Sequence, residues 1–423
     1  MYWLLSLLLL TQEWPMFGRD PQHTNAALVE ATAQPKLLWT FRPGEHLWKY
    51  TRRASVWSSS AVIARLGQDL RLFVGSYDRN VYCLDGKTGR EVWRYTTGGA
   101  VNAAPVFYRA QGAPSVAVVS TDRVIYGLDA QRGGLRWSYA VYPWTFTAFE
   151  AIASSPIAVE AGDATHLVIA LWYSDRKPLR NIQRGEVLCL DGATGAVVWR
   201  RQVSVSALSS PAYANIHGRP TLFVAGIDGN LYCLDAADGR LRWTFTSAIP
   251  ITSSPLLGDT GQRPVVMFGT QFGLFFCLDA ETSTELWRYK TGMQITSAGA
   301  VATLDQVPFL FVPSYDRHLY GLELASGRLR WRFETTQHIA SAPIVVMMGG
   351  RLSVVCASLD NHLYAVEAAD GRLRWSHPLR RRPWFYEARG ETVWPSPSAV
   401  SYEEKPLLVL PWYDGTVYAF SDQ

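Results

Sequence analysis

The stretch LDAADGRLRW, residues 234–243, decides the fold, because related stretches that end in tryptophan recur at a fixed interval. Steps of 44 residues separate Trp199, Trp243, Trp287, Trp331 and Trp375. Less regular steps of 54, 44 and 62 residues extend the series backwards to Trp39, Trp93 and Trp137. One tryptophan in each unit of this length is typical of repeat proteins. A repeat scaffold is compatible with many functions, so the period predicts the fold and says little about activity.

A single unit of the repeat contains four short runs rich in β-forming residues. In the unit from Thr252 to Tyr289 the runs are bounded by Gly, Asp, Thr or Pro, and no stretch shows sustained helical periodicity. Four strands repeated radially predict an all-β, eight-bladed β-propeller that occupies residues 14–423 as one domain. The strand LLWTF, residues 37–41, precedes the first unit, whereas residues 396–420 lack a tryptophan strand. We therefore expect these two segments to pair, which closes the ring and removes a free sheet edge.

The repeat motif resembles that of a known superfamily. The stretches LDGKTGREVW (84–93), LDGATGAVVW (190–199) and LDAADGRLRW are similar to the tryptophan-docking repeat of the pyrroloquinoline-quinone (PQQ)-like propellers, and the opening WPMFGRDPQHTN (14–25) is similar to their N-terminal segment. The resemblance implies the propeller fold. It leaves the function open, because the superfamily includes quinoprotein dehydrogenases and cofactor-free scaffolds, such as the propeller subunit of the bacterial outer-membrane β-barrel assembly complex. LDAETSTELW (278–287) departs from the motif by lacking the turn glycine, and Glu323 and Glu367 replace its aspartate.

The composition is that of a globular protein with a large core. Apolar residues make up 48% and charged residues 18% of the 423 residues, and the net charge of +4 gives no support to nucleic-acid binding. The five cysteines are expected to be buried free thiols, because four of them occupy the same position in different units and should not meet. They are Cys83, Cys189, Cys233, Cys277 and, on another strand, Cys356.

Residues 1–13 contain an apolar run, Tyr2 to Leu10, that is too short to span a bilayer. The run resembles the hydrophobic region of a secretory signal, although it lacks a basic start and a clear cleavage site. We expect export to the periplasm or the extracellular space. A hydrophobic N-terminal strand in a cytoplasmic protein is the alternative.

Four connections are longer than the regular ones. In a regular unit, the proline of the first strand follows the tryptophan by twelve residues. The corresponding residue follows Trp39 by 21, Trp137 by 19 and Trp375 by 22 residues. A fourth insertion lies between the second and third strands of unit three, near WYSDRKPLRNIQRG (172–185). Antiparallel order sends all four to one face of the disc, on blades seven, eight, one, two and three.

These connections are rich in aromatic residues and arginine, which are the types enriched at binding hot spots. We predict a basic, aromatic-rimmed binding face there; the alternative is that the long loops bury their own tryptophans as small satellite cores. The candidate residues are Trp48, Arg52, Arg53, Trp57, Trp144, Trp172, Arg176, Arg380, Arg381, Arg382, Trp384, Tyr386, Trp394 and Trp412. The aspartates of the turns before the third strands, such as Asp78 and Asp228, are expected to bond their own backbone, with a ring of calcium ligands as the alternative.

No recognised catalytic motif occurs in the chain. It has no adjacent cysteine pair, no CxxCH, and no GxSxG, HExxH or GxxxxGK[ST] sequence. Glu150, Glu387 and Glu391 lie in long loops, but the sequence gives them no role. The sequence therefore favours a monomeric, non-enzymatic scaffold that binds a protein or peptide on this face, meets membranes only indirectly and holds no cofactor, PQQ with calcium included. A PQQ-dependent oxidoreductase and a carbohydrate- or small-ligand-sensing module are the alternatives.

Overall fold

The computed structural model describes residues 13–31, 34–43, 59–141, 151–177, 180–203, 209–380, 395–403 and 405–422. Within these ranges the chain forms strands, turns and bends, with no α-helix. The strands make eight sheets, which confirms the eight-bladed propeller.

Two strands precede the first blade: β1 (Ala26–Ala31) and β2 (Lys36–Phe41). The first four blades are numbered along the chain. Blade 1 comprises β3 (Val62–Leu66), β4 (Asp69–Gly75), β5 (Asn80–Asp85) and β6 (Glu91–Thr96), and blade 2 comprises β7 (Val106–Ala110), β8 (Ala113–Val119), β9 (Val124–Asp129) and β10 (Leu135–Ala140). Blade 3 comprises β11 (Ala151–Ala153), β12 (Ile157–Ala161), β13 (Ala164–Lys177), β14 (Arg180–Asp191) and β15 (Val197–Val203), and blade 4 comprises β16 (Ala212–Ile216), β17 (Arg219–Ala225), β18 (Asn230–Asp235) and β19 (Leu241–Thr246).

Blade 5 comprises β20 (Leu256–Asp259), β21 (Pro264–Gly269), β22 (Leu274–Asp279) and β23 (Glu285–Lys290), and blade 6 comprises β24 (Ala300–Leu304), β25 (Val307–Pro313), β26 (His318–Glu323) and β27 (Leu329–Glu334). Blade 7 comprises β28 (Ile344–Met348), β29 (Arg351–Ser358), β30 (His362–Glu367) and β31 (Leu373–Pro378), and blade 8 comprises β32 (Ser398–Tyr402), β33 (Lys405–Pro411) and β34 (Val417–Ser421). In each blade the strands pair antiparallel in chain order, except that β11 and β12 both pair with β13 in blade 3. The first strands of neighbouring blades contact one another, so they form the inner wall around the axis.

The repeat tryptophans join neighbouring blades. Trp331, on the outer strand of blade 6, is 7% exposed and donates its indole N–H to the carbonyl of Ala368 in blade 7 at 2.9 Å. Its ring covers Gly371, where an added Cβ would come within 2.6 Å of the indole. Gly371 has φ +74°, a conformation that favours glycine. The equivalent indole hydrogen bond is made by Trp39, Trp93, Trp137, Trp199 and Trp287.

The ring closes as expected. Strand β2 pairs antiparallel with β34, with Trp39 opposite Ala419, and completes the sheet of blade 8. Trp39 then donates its indole N–H to Gly86 of blade 1, as the other repeat tryptophans do between consecutive blades. The N-terminal strand therefore supplies both the missing outer strand and the last inter-blade contact.

The segment before β1 follows the inner wall through most of the ring. Its backbone carbonyls accept the N–H of the second residue in six first strands, at 2.6–3.0 Å. The donors are Ile63, Phe107, Tyr213, Leu257, Val301 and Val345, from blades 1, 2, 4, 5, 6 and 7. Strand β1 then continues as a parallel partner of β28. The segment thus satisfies N–H groups on the inner strand edges, which have no further strand to pair with.

Blade 3 departs from the regular pattern. Strands β13 and β14 are 14 and 12 residues long and pair continuously from His166–Asp191 to Lys177–Arg180. This hairpin is the insertion expected between the second and third strands. Asp175, expected in a turn, instead lies on β13 opposite Ile182, because the hairpin extends past the usual turn position.

The five cysteines are buried and free, as expected. Burial raises the pKa of the Cys83, Cys189 and Cys233 thiols to about 12. The thiols therefore stay protonated and act as small apolar groups within the blades.

Candidate functional site

Strand order defines an upper face, which carries the connections from second to third strand and from one blade to the next. The extended β13–β14 hairpin belongs to this face. So do the lead-ins, defined here as the residues immediately before each first strand. Because the first strands form the inner wall, the lead-ins surround the upper opening of the axis.

Six turns of the upper face share one aspartate arrangement. One carboxylate oxygen accepts the N–H two residues later at 2.8–3.0 Å, and the other accepts a tyrosine hydroxyl four residues later. The aspartates are Asp78, Asp122, Asp228, Asp316, Asp360 and Asp414. Burial raises the pKa of Tyr418 to about 12, and the negative charge of the neighbouring Asp414 contributes to this increase. The aspartates are turn-formers, as expected.

The lead-ins carry two positions that are usually serine. At the first position the hydroxyl accepts a backbone N–H from the second strand of the same blade, 16 residues later, at 2.7–3.3 Å. These residues are Ser59, Ser154, Ser209, Ser253 and Ser341. At the second position, Ser60, Ser155, Ser210, Ser254 and Ser396 accept an N–H from the preceding blade at 2.9–3.2 Å. The lead-ins thus form a ring of hydroxyl hydrogen bonds around the opening.

The ring of hydroxyls lacks the first-position serine at blades 2 and 8, which have Ala103 and Pro395, and it is also incomplete at blade 6. In blade 6 the first-position residue is Ser297, but the residue 16 positions later is Pro313, which has no N–H. The Ser297 hydroxyl and the neighbouring Thr296 hydroxyl are buried without a hydrogen-bond partner. At the second position, Ala104, Ala298 and Ala342 replace serine in blades 2, 6 and 7.

The segment before β1, residues 13–25, is called the axial segment here. It places two buried polar side chains beside the lead-ins of blades 5 and 6. His23 is 0% and Asn25 1% exposed. His23 Nδ1 lies 2.8 Å from the carbonyl oxygen of Pro255, and Asn25 Nδ2 donates to the carbonyl of Gly299 at 2.8 Å. Pro255 and Gly299 are equivalent lead-in residues of blades 5 and 6. Burial lowers the pKa of His23 to about 4, so the imidazole is neutral at pH 7.

Four of the fourteen predicted binding residues lie in the described part of the chain. Trp172 is on β13 opposite Gly185, half-buried, and its indole nitrogen has no partner. Trp412 is 2% exposed and packs within the core cluster that contains Trp14, so its ring is not a surface group; its indole nitrogen also lacks a partner. Arg176 lies on β13 opposite Asn181. Arg380 is exposed, and its backbone N–H donates to the Tyr418 hydroxyl.

The other ten predicted residues lie outside the described residues: Trp48, Arg52, Arg53, Trp57, Trp144, Arg381, Arg382, Trp384, Tyr386 and Trp394. Sequence reasoning did not identify His23, Asn25 or the serine ring. The available signals were the WPMFGRDPQHTN segment, taken only as a family marker, and the paired small residues before each first strand.

Neither a cluster of metal-binding side chains nor a membrane-spanning helix is found in the described residues. These residues contain no group of three or more His, Cys, Asp or Glu side chains placed to hold a metal ion. Across the same ranges, no helix has the length and apolar character needed to cross a bilayer.

The fold and the sequence place the chain in a known family. A family model described as outer membrane protein assembly factor BamB matches residues 27–171, 183–261 and 228–384, and the chain belongs to this family. BamB from Moraxella catarrhalis superposes with a TM-score of 0.60 at 15% identity, over 92% of this chain and 100% of that chain. Relatives of this chain therefore include an assembly factor. The likeness identifies no partner surface on this chain.

Dehydrogenases are also among the similar proteins. A quinohemoprotein alcohol dehydrogenase from Comamonas testosteroni superposes with a TM-score of 0.69 at 14% identity, over 97% of this chain and 81% of that one. At such identities the likeness shows the fold alone. In sequence, a polyvinylalcohol dehydrogenase from Sphingopyxis sp. (strain 113P3) is 30% identical over 142 residues, which is 31% of this chain and 20% of the relative. The match therefore spans about a fifth of that relative's length.

Two expectations from the sequence are wrong in the light of these similarities. The preference for a non-enzymatic scaffold is overturned because the curated relative and the alcohol dehydrogenase are oxidoreductases. The expectation of no cofactor is overturned for the same reason, since one of these enzymes is a quinohemoprotein. The missing adjacent cysteines and the missing CxxCH argue only against a covering disulfide and a covalently attached haem, and they do not exclude a quinone.

Proposed function

We propose that the chain is the propeller of an oxidoreductase that oxidises alcohol groups with a quinone cofactor on its upper face. The observation that carries the proposal is the 30% identity with a polyvinylalcohol dehydrogenase over 142 residues. Similarity in sequence bears on chemistry more directly than a shared propeller does, because one fold hosts many functions. The full length of that relative is not matched, so its polymer substrate is not transferred to this chain.

The upper face offers groups that suit a planar quinone. A quinone presents carbonyl oxygens, which accept hydrogen bonds, and a flat ring, which packs against aromatic side chains. The indole N–H groups of Trp172 and Trp412 are buried donors without a partner. An unpaired buried donor is unfavourable by about 1–3 kcal/mol, so an acceptor from a bound molecule would stabilise each. Trp172, which is half-buried, fits the organic part of the cofactor; Trp412, whose ring is buried in the core, can offer only its indole N–H to a cofactor that reaches that far.

The described residues contain no cluster of three His, Cys, Asp or Glu side chains that could hold the metal ion of such a cofactor site. An adjacent-cysteine disulfide does not occur anywhere in the sequence. We therefore assign no metal ligand and no covering disulfide.

A bound quinone supplies an acceptor for the two electrons and two protons that an alcohol releases on becoming a carbonyl compound. The chain's own residues would bind and orient: Trp172 and Trp412 through their indole N–H groups, and Arg380 through its positive charge. We propose that the aromatic and arginine residues predicted from the long connections contribute to binding the quinone or the alcohol. We also propose that the protein works after export, as the N-terminal apolar run suggests.

The test uses the purified full chain mixed with PQQ, with and without calcium. We expect a bound-quinone absorbance spectrum and dye-linked oxidation of primary or secondary alcohols. Trp412→Phe and Trp172→Phe keep an aromatic ring but remove the N–H, and each should weaken PQQ binding about tenfold.

The matched control is Trp287→Phe. It removes an indole N–H already bonded to the Leu324 carbonyl at 2.9 Å, on the outer layer. This variant should lower stability and leave PQQ affinity unchanged. The proposal fails if the unmodified chain neither shifts the PQQ spectrum nor oxidises any alcohol, or if all three variants bind PQQ equally.

A further inference from the structure

Two side chains of the axial segment end in buried atoms that can only accept hydrogen bonds. The His23 nitrogen Nδ1 faces a carbonyl oxygen at 2.8 Å, so it must carry the proton, and Nε2 keeps its lone pair. The Asn25 amide donates through Nδ2 to another carbonyl, which leaves Oδ1 as an acceptor. Both Nε2 and Oδ1 are buried without a partner. A neutral imidazole that donates one ring N–H to a carbonyl is the arrangement usual for a metal-binding histidine.

A second, independent observation concerns the lead-in of blade 6. The hydroxyls of Thr296 and Ser297 are buried without partners, whereas the equivalent Ser253 accepts the Gly269 N–H at 2.7 Å. The Asn25 amide bonds to Gly299, two residues after Ser297 in the same lead-in. Asn25 therefore lies beside the blade 6 lead-in that carries the two partnerless hydroxyls, and His23 lies beside the equivalent lead-in of blade 5.

The backbone of the axial segment is strained where these side chains arise. His23 has φ +59° and Asn25 φ +52°, both in the left-handed region that residues other than glycine seldom adopt. Such conformations persist only where surrounding contacts hold them, and they cluster at ligand sites. Here the contacts are the carbonyls of Thr24 and Asn25, which accept the Val301 and Val345 N–H groups, and the side-chain bonds to Pro255 and Gly299.

We propose that His23 Nε2, Asn25 Oδ1 and the hydroxyls of Thr296 and Ser297 form an axial site for a divalent cation. Imidazole nitrogen suits first-row transition ions, and amide and hydroxyl oxygens complete an N/O ligand set without a carboxylate. The site is separate from the proposed quinone donors, Trp172 and Trp412, and it does not depend on the proposed oxidoreductase activity.

The test is binding of Zn²⁺, Mn²⁺ and Ca²⁺, each titrated alone into the chelator-treated full chain, with calorimetry for stoichiometry and affinity and thermal unfolding as a second readout. We expect one Zn²⁺ or Mn²⁺ to bind and raise the unfolding temperature, and Ca²⁺ to bind more weakly. His23→Leu should weaken transition-ion binding at least about tenfold. The matched control is His217→Leu, since His217 is an exposed histidine beside Glu281 and should not contribute.

Because His23→Leu could disturb the buried segment, a second variant changes only the wall. The double variant Thr296→Val with Ser297→Ala removes two unpartnered hydroxyls and should fold normally while binding the ion several-fold more weakly. The proposal is overturned if neither Zn²⁺ nor Mn²⁺ binds the unmodified chain, or if both variants bind the ion as tightly as it does. The former result would mean that these atoms bond to water alone.

Discussion

The outer layer of this propeller, which carries the repeat tryptophans, and the inner wall, formed by the first strands, are built from the same repeat. The contacts of the outer layer recur regularly, whereas those of the inner wall are interrupted. On the outside, six repeat tryptophans each donate an indole N–H to the next blade, and one of the six is Trp39, which makes the closing contact. On the inside, the serine pattern fails at blade 6, where Ser297 faces Pro313, and the axial segment adds His23 and Asn25. We therefore expect inter-blade packing to account for stability, and we propose that departures on the inner wall mark where a ligand binds.

The largest expected effect tests the outer layer. Trp331→Ala removes a buried ring and the hydrogen bond to Ala368, and we expect a loss of about 3–5 kcal/mol in the free energy of unfolding, measured by urea titration. Trp331→Phe keeps most of the apolar ring and should lose less. A loss below about 1 kcal/mol for the alanine variant would mean that the tryptophans are not what holds the blades together.

The next effect tests the axial segment through pH. Burial lowers the pKa of His23 from 6.5 to about 4, so below pH 6.5 the unfolded chain takes up a proton that the folded chain excludes. The stabilisation from keeping His23 neutral is fully present above pH 6.5 and is lost as the pH falls towards 4. Between pH 7 and 4.5 we expect the unmodified protein to lose about 2.5 kcal/mol more than His23→Gln does. The exposed His217→Gln variant should retain the full loss, and equal losses in all three proteins would exclude a buried neutral His23.

The fold could be predicted from the sequence because it depends on features that recur. The tryptophan at each 44-residue step, the turn glycine beneath it and the unpaired LLWTF strand together fixed the blade number and the ring closure. The site could not be predicted in the same way. His23 and Asn25 are defined by contacts with Pro255 and Gly299, more than 200 residues away, and no local spacing encodes these contacts. Trp412 resembles a surface aromatic in sequence, but it is buried in the same core cluster as Trp14.

A smaller effect compares two equivalent serines of the inner wall. Ser253→Ala leaves the Gly269 N–H buried without its 2.7 Å acceptor, and we expect a loss of about 1–3 kcal/mol. Ser297→Ala removes a buried hydroxyl that has no partner, so in a metal-free buffer it should leave the free energy of unfolding unchanged or raise it. Equal losses in urea titrations would contradict the distinction between bonded and partnerless hydroxyls.

The smallest effect concerns the one repeat unit of the outer layer that lacks its turn glycine. Ser283 takes the place of Gly239 and Gly327 and has φ +63°, a conformation that disfavours a side chain. Ser283→Gly relieves this strain, and although glycine adds freedom to the unfolded chain, we expect a net gain of about 0.5–1 kcal/mol. Ser326→Gly is the matched control, because Ser326 precedes the turn glycine Gly327 and is not itself in the left-handed region, so this change should be neutral or destabilising. If Ser283→Gly and Ser326→Gly lower the free energy of unfolding equally, then the backbone at Ser283 is not strained. The outer layer would then tolerate an irregular turn as readily as the inner wall tolerates an irregular serine pattern, and regularity would no longer distinguish the two layers.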